Sequence, residues 1–79
     1  MVLTKEKPFG GGWYKRGKML NVSCEIIYDG WSELYHFITR KENVVYNSIW
    51  DNVTFKTEDE CKNACMDYVK RIAKGGQNE

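Results

Sequence analysis

The stretch from residue 55 to residue 74 constrains the fold more than any other part of the chain, because it reads as one amphipathic helix. Thr57 and Glu60 have the spacing of a capping box. Acidic residues follow in the first turn and basic residues gather in the last, as the helix dipole favours. Six small or apolar side chains recur at three- and four-residue spacing and form one stripe: Cys61, Ala64, Cys65, Tyr68, Val69 and Ile72. We expect Gly75 and Gly76 to end this helix.

Three strands are expected before the helix. Apolar and polar residues alternate from Asn21 to Tyr28, which is typical of a strand. Asp29-Gly30 is a strong signal for a two-residue hairpin turn. Such a turn would pair Tyr28 with Trp31 in the next strand. A third strand, rich in β-branched and aromatic residues, is predicted over residues 44–50.

The expected hairpin register divides the apolar side chains between two sheet faces. One face carries Val22, Cys24, Ile26, Tyr28, Trp31, Tyr35 and Phe37, and we expect the helix to cover it. The other face carries Ile27, Leu34, His36 and Ile38. A sheet with a helix on one side usually has a polar second face, so this apolar group is a candidate contact surface.

The predicted architecture is a single α+β domain with β-β-β-α order, in which an antiparallel sheet packs against one C-terminal helix. Residues 1–12, with a run of three glycines, are expected to form a flexible arm. Trp13 and Tyr14 either begin a fourth strand, with Arg16-Gly17-Lys18 as a turn, or dock onto the domain. The compact domain then spans residues 13–74, and residues 75–79 form a flexible tail.

Composition narrows the class of protein. The chain has 79 residues, a net charge of +1, 29% charged residues and a mean hydropathy of -0.62. It has no apolar run that could span a bilayer and no signal peptide at Met1, so we expect a cytoplasmic protein without a membrane partner. Three cysteines are an odd number, which does not suit a secreted disulfide framework.

The residues that could carry chemistry do not form a recognisable site. Cys24, His36, Cys61 and Cys65 are the conceivable metal ligands, but the expected register places Cys24 and His36 on opposite sheet faces. Cysteine is commonly buried, so we interpret all three cysteines as core residues. No glycine-rich loop lies between a strand and a helix. We therefore expect no enzyme activity, metal, cofactor or small-molecule substrate.

Two functional hypotheses rank above a third, a zinc module that would unfold on treatment with a chelator. The first is a small protein-binding accessory protein, with an inhibitor or adaptor encoded by a phage or mobile element as one concrete version. It would bind a protein partner, or a second copy of itself, through Ile27, Leu34, His36 and Ile38. The alternative is a nucleic-acid-binding accessory protein that uses the basic arm and the end of the helix, since cations beside aromatic rings suit that ligand. Its contact residues would be Trp13, Tyr14, Lys15, Arg16, Lys18, Lys70 and Arg71.

One resemblance bears on these hypotheses. The pattern of Trp50, Phe55-Lys56-Thr57, Glu60, Cys61 and Ala64 resembles the end of the three-stranded-sheet-plus-helix DNA-binding domains of plant AP2 factors and integrase arm domains. Those families place a tryptophan on the last strand, and they contact DNA through basic and aromatic side chains on the outer sheet face. Over residues 21–74 the expected strands carry Glu25 and Glu33 but only Arg40 as a base. The resemblance therefore implies a fold and no site residues.

Overall fold

The computed structural model describes the backbone of residues 1–78 and the side chains of residues 1–73. It confirms the α+β class, but the antiparallel sheet has five strands where three or four were predicted. Each strand pairs with the next one in sequence. The strands are β1 (Lys7–Phe9), β2 (Gly12–Met19), β3 (Val22–Asp29), β4 (Leu34–Lys41) and β5 (Val44–Asn47), followed by a 3-10 helix (Ser48–Asp51) and α1 (Glu58–Asn78).

The two additional strands lie at the start of the chain. β2 is eight residues long and runs straight through Arg16-Gly17-Lys18, which is therefore not a turn. The turn to β3 comes at Leu20 and Asn21, whose positive φ angles of 51° and 64° suit a type I′ hairpin. β1 lies within the segment expected to be a loose arm and pairs with β2. Its Pro8 is tolerated because an edge strand has a side without a neighbour.

The hairpin between β3 and β4 has a longer loop than the sequence suggested. The side chain of Asp29 accepts hydrogen bonds from Trp31 N at 2.9 Å and from Ser32 Oγ at 3.1 Å, and Glu33 has a φ of 59°. Four residues therefore connect the strands, and Tyr28 pairs with Tyr35. The predicted register was wrong by four positions. Because side chains alternate with period two, an even shift leaves every strand residue on its predicted face.

The helix covers the expected face of the sheet. Its cap forms in part as predicted: Glu60 N donates to Thr57 Oγ1 at 3.1 Å, but the Glu60 carboxylate accepts from the Thr57 hydroxyl at 3.0 Å instead of from the cap amide. The helix then continues through Gly75 and Gly76 to Asn78, so the predicted end at Gly75 was wrong. The expected tail, residues 75–79, lies outside the residues whose side chains are described. The core joins β3, β4 and α1 through Val22, Cys24, Ile26, Phe37, Cys61, Cys65 and Val69.

The segment before α1 covers the edge of β4. β5 pairs with one end of β4, the Ser48 hydroxyl accepts a hydrogen bond from Phe37 N at 3.1 Å, and Phe55 exchanges two backbone hydrogen bonds with Tyr35. Trp50 lies in the exposed 3-10 helix and not on the last strand, which departs from the AP2 and integrase-arm pattern. Among the helices that the structure describes, none is long and apolar enough to cross a membrane.

Candidate functional site

The face of the sheet turned away from α1, here called the outer face, is not covered by the helix. Its side chains alternate along each strand with those that enter the core. The residues of this face are Lys7 and Phe9 from β1, Tyr14, Arg16 and Lys18 from β2, Ser23, Glu25 and Ile27 from β3, Leu34, His36, Ile38 and Arg40 from β4, and Val45 and Asn47 from β5.

All four residues predicted to bind a protein lie on the outer face. Ile27 is only 7% exposed and therefore acts mainly as support beneath its neighbours. Leu34, His36 and Ile38 are half-buried and remain partly accessible. The apolar part of this face is consequently smaller than the sequence suggested, since its central residue is not available to a partner.

The residues predicted to bind nucleic acid are divided between three places. Tyr14, Arg16 and Lys18 lie on the outer face, because β2 is a strand and alternate residues share a face. Trp13 and Lys15 point to the helix side, where Lys15 Nζ lies 2.8 Å from Glu58 Oε2 and 5.0 Å from the centre of the Trp13 ring.

Lys70 and Arg71 are exposed on α1, in the other layer of the molecule. Arg71 lies against the ring of Tyr68, 5.9 Å from its centre. The structure therefore does not bring the predicted helix contacts together with those of β2. Part of the predicted nucleic-acid site instead shares the outer face with the residues predicted to bind a protein. That part is Tyr14, Arg16 and Lys18.

Cations surround an open groove of about 520 Å³ at one end of the outer face. Arg16, Lys18 and Arg40 line this groove together with Ser23 and Glu25. Ser23 lies between Lys18 and Arg40 in the strand register, so the Cα atoms of these two bases are about 10 Å apart. Lys18 and Arg40 are exposed and make no ion pair with any residue whose side chain is described.

The first residues of the chain form a wall of the same groove. Thr4 N donates to the carbonyl of Arg16 at 2.8 Å, and Arg16 N donates to Thr4 Oγ1 at 3.0 Å. Met1 and Leu3 pack against the core, while Val2 and Thr4 line the groove. The segment expected to be a loose arm thus attaches to the edge of β2 and helps to shape the site.

Aromatic side chains lie at the opposite end of the outer face. Phe9 is 59% exposed and meets the Tyr14 ring edge-on, with 5.9 Å between ring centres. A second, shallower depression of about 250 Å³ lies between these rings and Ile27 and Ile38. Trp31, in the β3–β4 loop, is 87% exposed. The outer face therefore offers rings at one end, beside exposed Lys7, and three cations around the groove at the other.

Burial and contacts between thiols shift the pKa values of His36 and of the core cysteines. Burial lowers the pKa of His36, with partial opposition from Asp29, so its imidazole is neutral at pH 7. Burial raises the pKa of Cys61 to about 12, and contact with the Cys24 thiol together with burial raises the pKa of Cys65. Such thiols stay protonated, whereas nucleophiles and metal ligands are thiolates. Within the described residues no three His, Cys, Asp or Glu side chains form a metal-binding group.

Sequence reasoning missed Phe9, Glu25 and Arg40 as members of the candidate site. The available signal was the alternation in residues 13–18, where Tyr14, Arg16 and Lys18 take every second position. Recognising that segment as a strand beside residues 22–28 would have placed its bases on the outer face with Arg40.

Comparison of the chain with protein-family models, with curated proteins and with solved structures found no match. The candidate site therefore rests on the geometry of this chain alone.

Proposed function

We propose that the protein is a non-enzymatic nucleic-acid-binding accessory protein that contacts its ligand through the outer face of the sheet. The observation that carries this proposal is the convergence of Arg16, Lys18 and Arg40 around one open groove. Phosphate contacts from arginine and lysine supply most of the affinity in non-specific nucleic-acid binding. Exposed rings at the other end of the same face can add stacking with bases.

The distribution of charge supports this function more than the net charge does. The whole chain carries only +1, but its acids are partly segregated from the groove. Glu58, Asp59 and Glu60 lie in the first turn of α1, in the other layer of the molecule. Charges beyond about one Debye length are screened, so a phosphate at the outer face is influenced mainly by the nearby bases and by Glu25.

The layout resemblance to AP2 and integrase-arm domains also fits this proposal. The expected strands offered only Arg40 as a base, which removed the functional part of the analogy. With β2 in the sheet, Arg16 and Lys18 join Arg40 on the outer face, where those families carry their DNA contacts. The resemblance remains an analogy of layout, and the argument for function rests on the groove.

The test compares two double variants that remove the same charge from different layers. Lys18→Gln with Arg40→Gln removes two groove cations, whereas Lys70→Gln with Arg71→Gln removes two cations of α1. Binding to a short fluorescent DNA duplex, and to each of its single strands, would be followed by anisotropy at low salt. We expect the groove variant to lose most of its affinity and the helix variant to retain it.

Salt dependence makes the test quantitative. Three phosphate contacts predict a slope of about -2.7 for log K against log salt on duplex DNA, hence about a 40-fold loss of affinity between 50 and 200 mM salt. The groove variant should reduce the slope by about 1.8. Equal losses in both variants, or no binding by the wild-type protein at low salt, would refute binding through the outer face.

A protein partner is the second candidate, and one observation favours it. Half-buried Leu34 and Ile38, exposed Phe9 and the nearby Arg16 are residue types that suit a protein interface. A stoichiometric protein captured in the presence of nuclease, and lost with Leu34→Asp in a folded variant, would support this candidate. Light scattering of the pure protein tests the case in which the partner is a second copy. Loss of fold in Leu34→Asp would instead make Leu34 a core residue.

A further inference from the structure

The ion pair between Arg16 and Glu25 lies at the centre of the outer face. The two residues are directly opposite in the β2–β3 register, and Arg16 Nε donates to Glu25 Oε2 at 2.8 Å. The guanidinium carbon is 5.0 Å from the centre of the Tyr14 ring. The Arg16 side chain is 60% exposed and that of Glu25 is 25% exposed, so both reach the surface.

The geometry leaves much of the Arg16 guanidinium available. Only its Nε donates to a described side chain, and the two terminal nitrogens have no such partner. An arginine can donate in a fork to two oxygens of one phosphate. A phosphate can therefore engage the terminal nitrogens first, before it replaces Glu25 at Arg16.

Glu25 also lines both depressions of the outer face, together with Arg16 and Ile38. Its other neighbour across the strands is Ile38, which offers no charge or hydrogen bond, so Arg16 is its only ion-pair partner among the described residues. An anion in the groove meets Arg16, Lys18 and Arg40, but it also meets this carboxylate at close range.

We propose that Glu25 is a built-in competitor for the anion site: its carboxylate occupies Arg16 in the free protein, and a bound phosphate takes Arg16 over from it. This inference rests on the proposed nucleic-acid function and adds a residue that limits its affinity. Exposed ion pairs are weak, so the exchange is easily made. Phosphate displaces Glu25, and the carboxylate then faces solvent.

The test is Glu25→Gln, which keeps the shape of the side chain and removes its charge. We expect this variant to bind the DNA duplex about threefold to fivefold more tightly at low salt, the affinity equivalent of a typical exposed ion pair. The slope of log K against log salt should stay close to that of the wild-type protein, because the bound phosphate contacts Arg16 in both proteins.

Asp59→Asn is the matched control, since it removes one negative charge from an exposed site in the first turn of α1. It should change affinity by less than about twofold because of screening. Arg16→Gln and the double variant Arg16→Gln with Glu25→Gln complete a thermodynamic cycle. If Glu25 competes for Arg16, the gain from Glu25→Gln is largely lost in the Arg16→Gln background.

Three results would overturn the inference while leaving the proposed function intact. Weaker binding by Glu25→Gln would show that Glu25 positions Arg16 for the ligand. An equal gain from Asp59→Asn would reduce the effect to net charge. An undiminished gain in the Arg16→Gln background would show repulsion without competition for Arg16. Absence of binding by the wild-type protein at low salt would instead refute the proposed function and this inference together.

Discussion

The β1–β2 turn and the start of the β3–β4 loop pass so close to each other that only glycine fits at the crossing. A Cβ atom on Gly30 would lie 1.8 Å from the carbonyl oxygen of Gly11, and one on Gly12 would lie 1.7 Å from the carbonyl oxygen of Tyr28. Both obstacles are backbone atoms, which cannot turn aside as a side chain would. We therefore predict that Gly30→Ala and Gly12→Ala destabilise the fold.

The size of the effect follows from the missing space. A carbon and a carbonyl oxygen approach to about 3.3 Å, so the two backbone segments would have to separate by about 1.5 Å. Overpacking usually costs about 1–3 kcal/mol, while replacing glycine by alanine gains about 0.4–1 kcal/mol by restricting the unfolded chain. A net loss of about 1–2 kcal/mol is a substantial part of the roughly 4–12 kcal/mol expected for a domain of this size.

Urea unfolding monitored by circular dichroism would measure these losses, and two neighbouring glycines provide graded controls. At Gly11 a Cβ would meet only the Trp31 side chain, at 3.0 Å, so Gly11→Ala should stay within about 0.5 kcal/mol of the wild-type protein. Gly10 has open space but a φ of 59°, and Gly10→Ala should lose about 1 kcal/mol. Wild-type stability in Gly30→Ala and Gly12→Ala would refute the close approach.

Three further predictions concern the core, the helix cap and pH. Val69→Ala should lower the free energy of unfolding, measured by urea titration, by about 2–3 kcal/mol, because a fully buried side chain loses two carbons and leaves a cavity. Asp67 is exposed on the same helix, and Asp67→Ala should change the free energy of unfolding by less than about 0.5 kcal/mol. Thr57→Ala should cost about 1 kcal/mol, since the Glu60 amide loses its acceptor, and Thr57→Ser should retain most of the stability. Burial lowers the pKa of His36 in the folded state, so the unfolded chain binds a proton at this residue more readily. The free energy of unfolding should therefore fall as the pH drops below about 6.5. Urea midpoints measured across pH would show this fall, and His36→Gln should reduce it.

The helix could be predicted because its signals are local. Thr57, Glu60 and the stripe from Cys61 to Ile72 lie within a few turns of one another, and the structure uses them largely as predicted. The predicted end of the helix was wrong, because two glycines weaken a helix without forcing it to stop. The capped start was thus more predictable than the end.

The hairpin after β3 shows how a wrong register can still give the correct faces. Asp29-Gly30 favoured a two-residue turn, but the Asp29 side chain organises a four-residue loop that closes at Glu33. The resulting shift is even, so Ile27, Leu34 and His36 stayed together on the outer face. The assignment of residues to a sheet face was therefore predicted more reliably than the pairing of residues between strands.

The sequence by itself determined the α+β class, the capped helix and the division of β3 and β4 into two faces, because these depend on periodicity along short stretches. Only the tertiary structure decided that β1 joins the sheet and that β2 runs unbroken to Met19, since a proline-containing edge strand and a glycine-rich turn have little local signal. The addition of β2 places Arg16 and Lys18 on the same face as Arg40, which lies more than twenty positions later in the chain. The groove is thus a property of strand order, which alternation within a single segment does not encode.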